Sequence, residues 1–258
     1  MQVIGYVASG FRKDRIWLRR TKPSKRDYQI MLLIDDSSSM LSAGPLTLSS
    51  LATIAGALEK LEVGEICIAS FAERVRVLHP FGKLYVYLSL TSLVFPHGLE
   101  FITGKPFNDE AGSEIFSRFT FEARSTLLAS SLASVTHVFD EAKAQQASNS
   151  ETLQLCFIIS DARIDSDNRS KLSQIMRTMA EHHILAVLVV IDCTEDSANS
   201  IFNTRIVEFT PTGVNTSQYL ENFPFPYYIV IQNMDSLPEV LSAALKQWFE
   251  VVSSSLGH

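Results

Sequence analysis

The chain has 258 residues, of which 46% are hydrophobic and 19% charged, and its formal net charge at pH 7 is −6. This length corresponds to one large domain or two small ones, with enough apolar residues for a sizeable core. The composition excludes an intrinsically disordered chain, a collagen-like fibre and a coiled coil.

The charge is distributed unevenly along the chain. Residues 1–29 contain eight basic and two acidic side chains, a balance of +6, whereas residues 30–258 contain 14 basic and 26 acidic ones, a balance of −12. We predict a basic leader over residues 1–29 and one domain over residues 30–258. The leader has the charge to contact RNA, an acidic partner or an import receptor, or to lie solvated over the domain. The acidic domain argues against a broad nucleic-acid surface of its own.

Hydrophobic patterns predict strands that alternate with helices. Short apolar runs predict strands at residues 28–34, 66–71, 75–78, 153–160, 184–192 and 227–231. Apolar residues at helical spacing predict helices at residues 46–61, 126–146, 170–183 and 236–252. Because only residues 72–74 join the second and third strands, we expect these two to be antiparallel. The order predicts a doubly wound α/β fold, with a mostly parallel central sheet, one antiparallel edge strand and helices on both faces.

Three cysteines, Cys67, Cys156 and Cys193, lie far apart in the sequence. They are too few for a disulfide framework and lack the paired spacing of a metal site. Each lies in or beside an apolar run, so we expect reduced core thiols of an intracellular protein. The first 30 residues contain no continuous apolar core of the kind that a secretory signal peptide has.

One segment, residues 84–105, does not fit the alternating pattern. It is rich in aromatic residues, and its deletion would join Lys83 smoothly to Pro106. Pro96, Gly98 and Glu100 interrupt its apolar run, which argues against a membrane span. We predict an insertion into the domain, of the kind that a retained intron would produce.

Polar residues follow two of the predicted strands. Asp35, Ser37 and Ser39 come directly after the first strand, and Asp161 follows the strand at 153–160. In doubly wound sheets ligands bind at the carboxyl ends of the strands, where these side chains would meet. Carboxylates and hydroxyls are hard oxygen ligands that suit Mg²⁺ or Mn²⁺. Two carboxylates alone would leave such an ion electrophilic, with a position open for the carboxylate of a partner.

These residues also have other interpretations. Asp and Ser after a strand cap helices or form turns in many proteins, so a purely structural role is one alternative. A phosphatase of the haloacid dehalogenase class would need a second aspartate where Ser37 stands. No G-x-S-x-G motif of a serine hydrolase and no G-x-x-x-x-G-K-[ST] phosphate loop occurs in the sequence. We therefore predict a binding module that is not itself an enzyme.

Several segments resemble known domains. IDDSSSM at residues 34–40 resembles the metal-ion-dependent adhesion site of von Willebrand factor type A domains. Residues 15–40, 107–126 and 155–164 resemble more closely the carboxy-terminal domain of the midasin family, the dynein-related ATPases of large-subunit ribosome assembly. The leader motif LRRTKPSKR is the most specific part of this resemblance.

The resemblance implies a set of site residues. Asp35, Ser37 and Ser39 match the first metal-binding loop and Asp161 matches the third, with Mg²⁺ as the expected ion and Mn²⁺ as an alternative. Thr126, at the start of a predicted helix, is the expected threonine ligand, and Thr120 is the alternative. Arg163 and Asp165 either contact the partner or belong to a solvated turn. Ala162 stands where many relatives have glycine, so that loop is expected to bend differently.

The resemblance also implies a function. Domains of this type grip ubiquitin-like domains of assembly factors on the pre-60S particle, through Mg²⁺ bridged to a partner carboxylate, in the nucleolus and nucleoplasm. The ATPase ring of the parent protein is a further expected contact, and no membrane partner is expected. Direct nucleic-acid binding is expected only through the basic leader.

Overall fold

The computed structural model describes residues 27–45, 47, 48, 51, 52, 55, 58, 64–82, 100, 101, 109–145, 152–163, 166–192, 200–210, 213–221 and 223–255. The strands are β1 (Asp27–Asp35), β2 (Glu65–Phe71), β3 (Val75–His79), β4 (Glu100–Phe101), β5 (Thr152–Ser160), β6 (Ile184–Ile191), β7 (Arg205–Thr210), β8 (Gly213–Gln218) and β9 (Tyr228–Ile231). The helices are α1 (Asp109–Phe116), α2 (Leu128–Ala144), α3 (Ser166–Glu181) and α4 (Leu237–Ser255), with 3-10 turns at Ser38–Met40 and Met234–Ser236. The described positions between 44 and 58 are also helical.

Seven of these strands form one sheet in the order β4-β3-β2-β1-β5-β6-β9. β1 pairs in parallel with β2 and β5, and β6 pairs in parallel with β5 and β9. β3 is antiparallel to β2, as the short connection predicts, and the two-residue β4 pairs in parallel with β3 outside it. The predicted doubly wound, mostly parallel sheet is confirmed, except that β4 rather than the antiparallel β3 is the last strand.

Helices cover both faces of the sheet. Successive residues of a strand point to opposite faces, so the fully apolar β1 contributes to two cores. Met31 and Leu33 pack in the core that α2 and α3 cover. Ile30, Leu32 and Ile34 pack in the second core, with the helical positions 51, 55 and 58 and with Leu245 and Trp248 of α4. Burial on both faces explains why the central strands are continuous apolar runs in the sequence.

Several elements differ from the sequence prediction, and α1 and β4 were not predicted. α2 begins at Leu128 rather than at residue 126, so Thr126 precedes the helix. α3 begins at Ser166 rather than at residue 170, because its first turn, Ser-Asp-Asn-Arg, is polar and gives no hydrophobic period. The β7–β8 hairpin was not predicted, because its residues form no continuous apolar run.

The predicted leader and insertion lie mostly outside the described residues. β1 begins at Asp27 and so takes in the last three residues assigned to the leader, while residues 1–26 are not described. Of the insertion at 84–105, the described residues are Glu100 and Phe101, which form β4. Both assignments stay predictions.

Two of the three cysteines are buried free thiols in the core, as expected. Cys67 on β2 and Cys156 on β5 both lie opposite Met31 of β1, and burial raises the pKa of each thiol well above its usual range. Cys193 lies outside the described residues. None of the helices in the described ranges has the length and apolar character needed to span a bilayer.

Two glycines with positive φ give a test of the packing at the start of β2. A Cβ on Gly64 (φ +153°) would lie 2.1 Å from the Tyr28 carbonyl oxygen of β1, whereas a Cβ on Gly213 (φ +141°) would meet no atom within 4 Å. Both alanine variants carry backbone strain, and only Gly64→Ala adds a clash with main chain. We expect Gly213→Ala to lower the free energy of unfolding by about 1 kcal/mol and Gly64→Ala by at least about 2 kcal/mol more, measured by urea denaturation. Equal losses would contradict this packing.

Candidate metal centre

The two predicted carboxylates meet at the carboxyl edge of the sheet. Asp35 is the last residue of β1 and Asp161 directly follows β5, and these strands pair in parallel with Ile34 opposite Ile159. Asp161 is close enough for its charge to raise the pKa of Asp35. The sheet therefore brings together two residues that are 126 positions apart in the sequence.

Asp35 is a buried carboxylate without a cationic partner in the described part of the chain. It is 1% exposed. Its Oδ1 accepts a hydrogen bond from the Ser37 N–H (3.0 Å), and its Oδ2 accepts one from the Ser160 hydroxyl (2.6 Å). Burial raises the pKa of Asp35 to about 6; the charge of Asp161 adds to this rise, whereas the bonds from Ser160 and Ser37 oppose it. A cation at this place would remove the unfavourable free energy of ionising Asp35.

Two hydroxyls lie beside this carboxylate. Ser37 and Ser39 are on the turn that follows β1, and their Oγ atoms are 2.9 Å apart. Ser37 is buried and Ser39 is exposed, so the pair lies at the boundary between the interior and solvent. Oxygen ligands at such a boundary can hold an ion that a partner can still reach.

The loop before α2 runs beside this turn. Ala123 forms an isolated parallel bridge with Ser37, and its carbonyl accepts the Ser38 N–H at 2.8 Å. Half-buried Thr126 lies three residues further on, two residues before α2 rather than at its start. Exposed Thr120 uses its main-chain N–H to hold Asp36. Thr126 therefore stays the predicted threonine ligand.

The loop after β5 is held in a specific conformation. The Asp161 Oδ1 accepts the Arg163 N–H at 3.3 Å, and the exposed Arg163 guanidinium lies 3.7 Å from Asp161 Oδ2. Ala162 is 1% exposed and has a φ of +56°, so alanine adopts here the left-handed conformation that favours glycine. The Tyr219 hydroxyl donates to the Ala162 carbonyl at 2.5 Å. The predicted partner contact Asp165 lies outside the described residues.

Asp36 is a site residue that the sequence analysis missed. It is 3% exposed, and its Oδ1 accepts the main-chain N–H groups of Thr120 (2.9 Å) and Phe121 (2.7 Å). Its Oδ2 pairs with the Arg76 guanidinium, which also donates to the Ser70 hydroxyl. Asp36 thus fixes the loop that carries Ala123 and Thr126, and the doubled aspartate at 35–36 was its only sequence signal.

Ser160 was missed as well. It ends β5, and the parallel register that sets Ile34 opposite Ile159 places Ser160 next to Asp35. Its hydroxyl donates to Asp35 and accepts the Ala162 N–H at 3.1 Å, so it links the first and third loops. The signal would have been the register of β1 and β5, which the sequence does not give.

The donor set fits a small hard cation. Asp35, Ser37, Ser39 and Asp161 present carboxylate and hydroxyl oxygens, and no soft sulfur or imidazole ligand is among them. Within the described ranges no group of three or more histidine, cysteine, aspartate or glutamate side chains is placed to hold a metal ion. The candidate site thus combines two carboxylates with neutral hydroxyls, and the ligand set stays a prediction.

Comparisons of sequence and fold show which known proteins this chain is similar to. No protein-family model matches the chain. Its sequence is 32% identical to midasin from Dictyostelium discoideum over 256 residues, and 32% identical to midasin from Giardia intestinalis over 257 residues. Each match covers 98% of this chain, which spans only 4% and 5% of the lengths of these relatives.

Among solved structures, mussel byssus proximal thread matrix protein 1, in the form whose MIDAS motif is occupied by zinc, has a similar fold. Its TM-score is 0.50 at 12% identity, and the match covers 84% of this chain and 46% of that one. Sheet order, helices on both faces and the strand-end residues define this chain as a von Willebrand factor A-type domain. The domain is of the midasin type, as its sequence identity over nearly all of its length shows.

Asp35 and Asp36 are adjacent but differ in their expected effects on stability. Asp36→Ala removes two main-chain hydrogen bonds and leaves Arg76 without its carboxylate, so we expect the free energy of unfolding to fall by about 3 kcal/mol. Asp35→Ala removes a buried charge together with its hydrogen bonds, so we expect a loss below about 1 kcal/mol at neutral pH without metal. Urea denaturation in EDTA measures both. A greater loss for Asp35→Ala would contradict these roles.

The raised pKa of Asp35 predicts a pH-dependent stability in EDTA. The folded-state pKa, about 6, lies above the ordinary value of 3.8, so the favourable contribution of this carboxyl is complete below about pH 4 and is lost as pH rises through about 6. At pH 7.5 the ionised group costs up to about 3 kcal/mol. In Asp35→Asn the amide oxygen can accept the Ser37 N–H and the NH2 group can donate to the Ser160 oxygen. We expect this variant to raise the thermal midpoint in EDTA at pH 7.5 and to raise it less at pH 5. A pH-independent difference would show that Asp35 is not responsible.

Proposed function

We propose that this domain is a metal-dependent protein-binding module, the gripping part of a midasin-type remodelling ATPase. The main observation behind this proposal is that the buried Asp35 carboxylate has no cationic partner in the described structure and lies next to Asp161 and the Ser37–Ser39 hydroxyl pair. This place is at an edge of the sheet that is open to solvent. The 32% sequence identity to Dictyostelium discoideum midasin, over 98% of this chain, supports this assignment. The partners follow from that family: ubiquitin-like domains of ribosome assembly factors on the pre-60S particle.

Five residues would hold the ion, with Mg²⁺ favoured and Mn²⁺ as the alternative: Asp35, Ser37, Ser39, Thr126 and Asp161. When bound, Mg²⁺ would supply positive charge and a coordination position for a partner carboxylate. The zinc-occupied site of the mussel protein supports a divalent ion in this fold. Asp35 and Asp161 match the charge of such an ion, while the hydroxyls add ligands without adding negative charge that would repel an acidic partner.

The same residues favour binding over catalysis. The hydrogen bonds of Asp35, Ser37 and Ser39 are made to serine hydroxyls and a main-chain N–H. A nucleophilic serine would need a histidine or lysine in that place to take its proton. An aspartyl phosphatase would need a carboxylate where Ser37 stands. The oxygen atoms are thus arranged to hold an ion and a carboxylate, and none of their bonded partners in the described structure is a histidine or a lysine.

The proposal extends to the parent protein and its place in the cell. Pre-60S particles are assembled in the nucleolus and nucleoplasm, so we assign the domain to the nucleus. The leader at residues 1–29, with its balance of +6, would serve nuclear import or contact the ATPase ring. The ring would supply the force, and this domain would supply the grip.

Calorimetric titration with a ubiquitin-like domain from a ribosome assembly factor tests the grip. We expect saturable binding in Mg²⁺ that is lost in EDTA and lost in Asp35→Ala, because both remove the charge that holds the partner carboxylate. Asp140→Ala is the matched control: Asp140 pairs with His182 on the surface at the far end of α2, and its removal should leave the affinity unchanged. Binding that persists in EDTA, or that Asp35→Ala leaves intact, would refute the metal-bridged grip.

A further inference from the structure

Exposed leucines adjoin the candidate metal site. Among the described residues, the large hydrophobic side chains that are exposed are Leu41, Leu127, Phe202, Tyr227 and Tyr228. Leu41 is 60% exposed and lies two residues after Ser39, and Leu127 is 49% exposed and directly follows Thr126. Main-chain hydrogen bonds hold both in place, from Leu41 N–H to the Ser38 carbonyl and from Leu127 N–H to the Ala72 carbonyl. The main chain at both residues is therefore held beside the metal-site loops, where their side chains are exposed.

Leu127 is a poor residue for its structural position. It is the N-cap of α2, with φ −101° and ψ 63°, and makes no side-chain cap hydrogen bond. Serine, threonine, aspartate and asparagine are preferred there and stabilise a helix by about 1 kcal/mol relative to apolar residues. A leucine at this position therefore gives the helix no cap hydrogen bond, and it also leaves apolar surface in contact with water. Local rules are broken in this way mainly at functional sites, which points to contact with a ligand.

Basic side chains lie on the same loops. Arg124 and Arg163 are exposed, Arg124 next to the Ala123 that pairs with Ser37, and Arg163 beside Asp161. Among the described residues, the loop before α2, the loop after β5 and the β2–β3 turn carry four exposed arginines (Arg74, Arg118, Arg124, Arg163) and two exposed glutamates (Glu73, Glu122), a balance of +2. Residues 30–258 as a whole have a balance of −12. Asp35, Asp36 and Asp161, together with Arg76, bring the described part of this edge to a balance of 0. It is therefore less acidic than the domain as a whole and can accept an acidic partner once a cation is bound.

We propose that Leu41, Leu127, Arg124 and Arg163 form a selective rim around the metal site. Its occupant is an acidic protein surface that presents a carboxylate with apolar side chains directly beside it. The carboxylate would go to the ion, the neighbouring apolar groups would cover the two leucines, and further acidic groups would meet the arginines. This inference rests on the proposed function and adds the chemistry by which one carboxylate is chosen over the many on protein surfaces.

Two short peptides test the apolar part of the rim. Each has one central glutamate, flanked on both sides by leucine in one peptide and by serine in the other. We expect the leucine-flanked peptide to bind at least about fivefold more tightly in Mg²⁺, followed by NMR titration of the labelled domain, because the leucines cover apolar surface. The double variant Leu41→Ser/Leu127→Ser should bind both peptides equally.

Matched controls separate the rim from general surface effects. Tyr227→Ser removes a 57% exposed apolar side chain just before β9, at the opposite edge of the sheet, and should keep the preference for leucine. Arg124→Glu/Arg163→Glu should weaken both peptides severalfold and reduce the salt dependence, whereas Arg177→Glu on α3 should not. The rise in thermal midpoint on adding Mg²⁺ checks that each variant still binds the ion.

The outcomes distinguish this inference from the proposed function. Equal binding of the two peptides by the unchanged domain, or binding of neither, overturns the rim. A leucine preference that survives in EDTA supports the rim and refutes the metal bridge. A leucine preference that needs Mg²⁺ and disappears in the double leucine variant supports both.

Discussion

The candidate site depends on the unfavourable free energy of one buried charge, that of the Asp35 carboxylate. Asp35 is removed from water at the end of β1. Within the described structure, the hydroxyls of Ser160 and Ser37 and the Ser37 main-chain N–H are the groups that stabilise its charge. These bonds compensate only part of the lost hydration, which is why burial raises the pKa of Asp35. The fold tolerates this unfavourable group because the two cores that cover the sheet supply stability elsewhere. A site of this kind is more stable with an ion than without one, and the proposed metal-dependent binding uses this dependence.

Asp36 shows how the same strand end builds both a site and its support. Asp36 directly follows β1, and its N–H still donates to the Phe71 carbonyl of β2 at 2.9 Å. Because successive residues of extended chain point to opposite sides, Asp35 faces the hydroxyls and Asp36 faces the loop before α2. Arg76 neutralises the charge of Asp36, and no basic group of the described residues does this for Asp35. Adjacent and chemically identical residues thereby have different tasks: Asp36 fixes the geometry, and Asp35 keeps the unsatisfied charge that attracts a ligand.

The fold and the site differed in how far the sequence could predict them. β1, β5 and β6 were predicted to within a residue or two, because strands buried on both faces are continuous apolar runs. The β7–β8 hairpin was missed, since such a pair has no strong hydrophobic period. Asp35, Ser37, Ser39 and Asp161 follow strands and could be found by position. Asp36 and Ser160 act through partners 84 and 125 residues away, and only the three-dimensional register shows those contacts.

The Tyr219 hydroxyl connects the loop that carries Asp161 and Ala162 to the β7–β8 hairpin, which lies outside the central sheet. Ala162 has a backbone conformation that costs an L-residue with a side chain about 1–2 kcal/mol, and the hydrogen bond from Tyr219 to its carbonyl helps to hold it there. Tyr219 directly follows β8, and Arg169 of α3 lies over its ring at 4.5 Å. The strained bend next to Asp161 is therefore held by a hydrogen bond from the residue that directly follows the β7–β8 hairpin. A displacement of the hairpin would be transmitted to Asp161, a proposed metal ligand, through a single hydroxyl group.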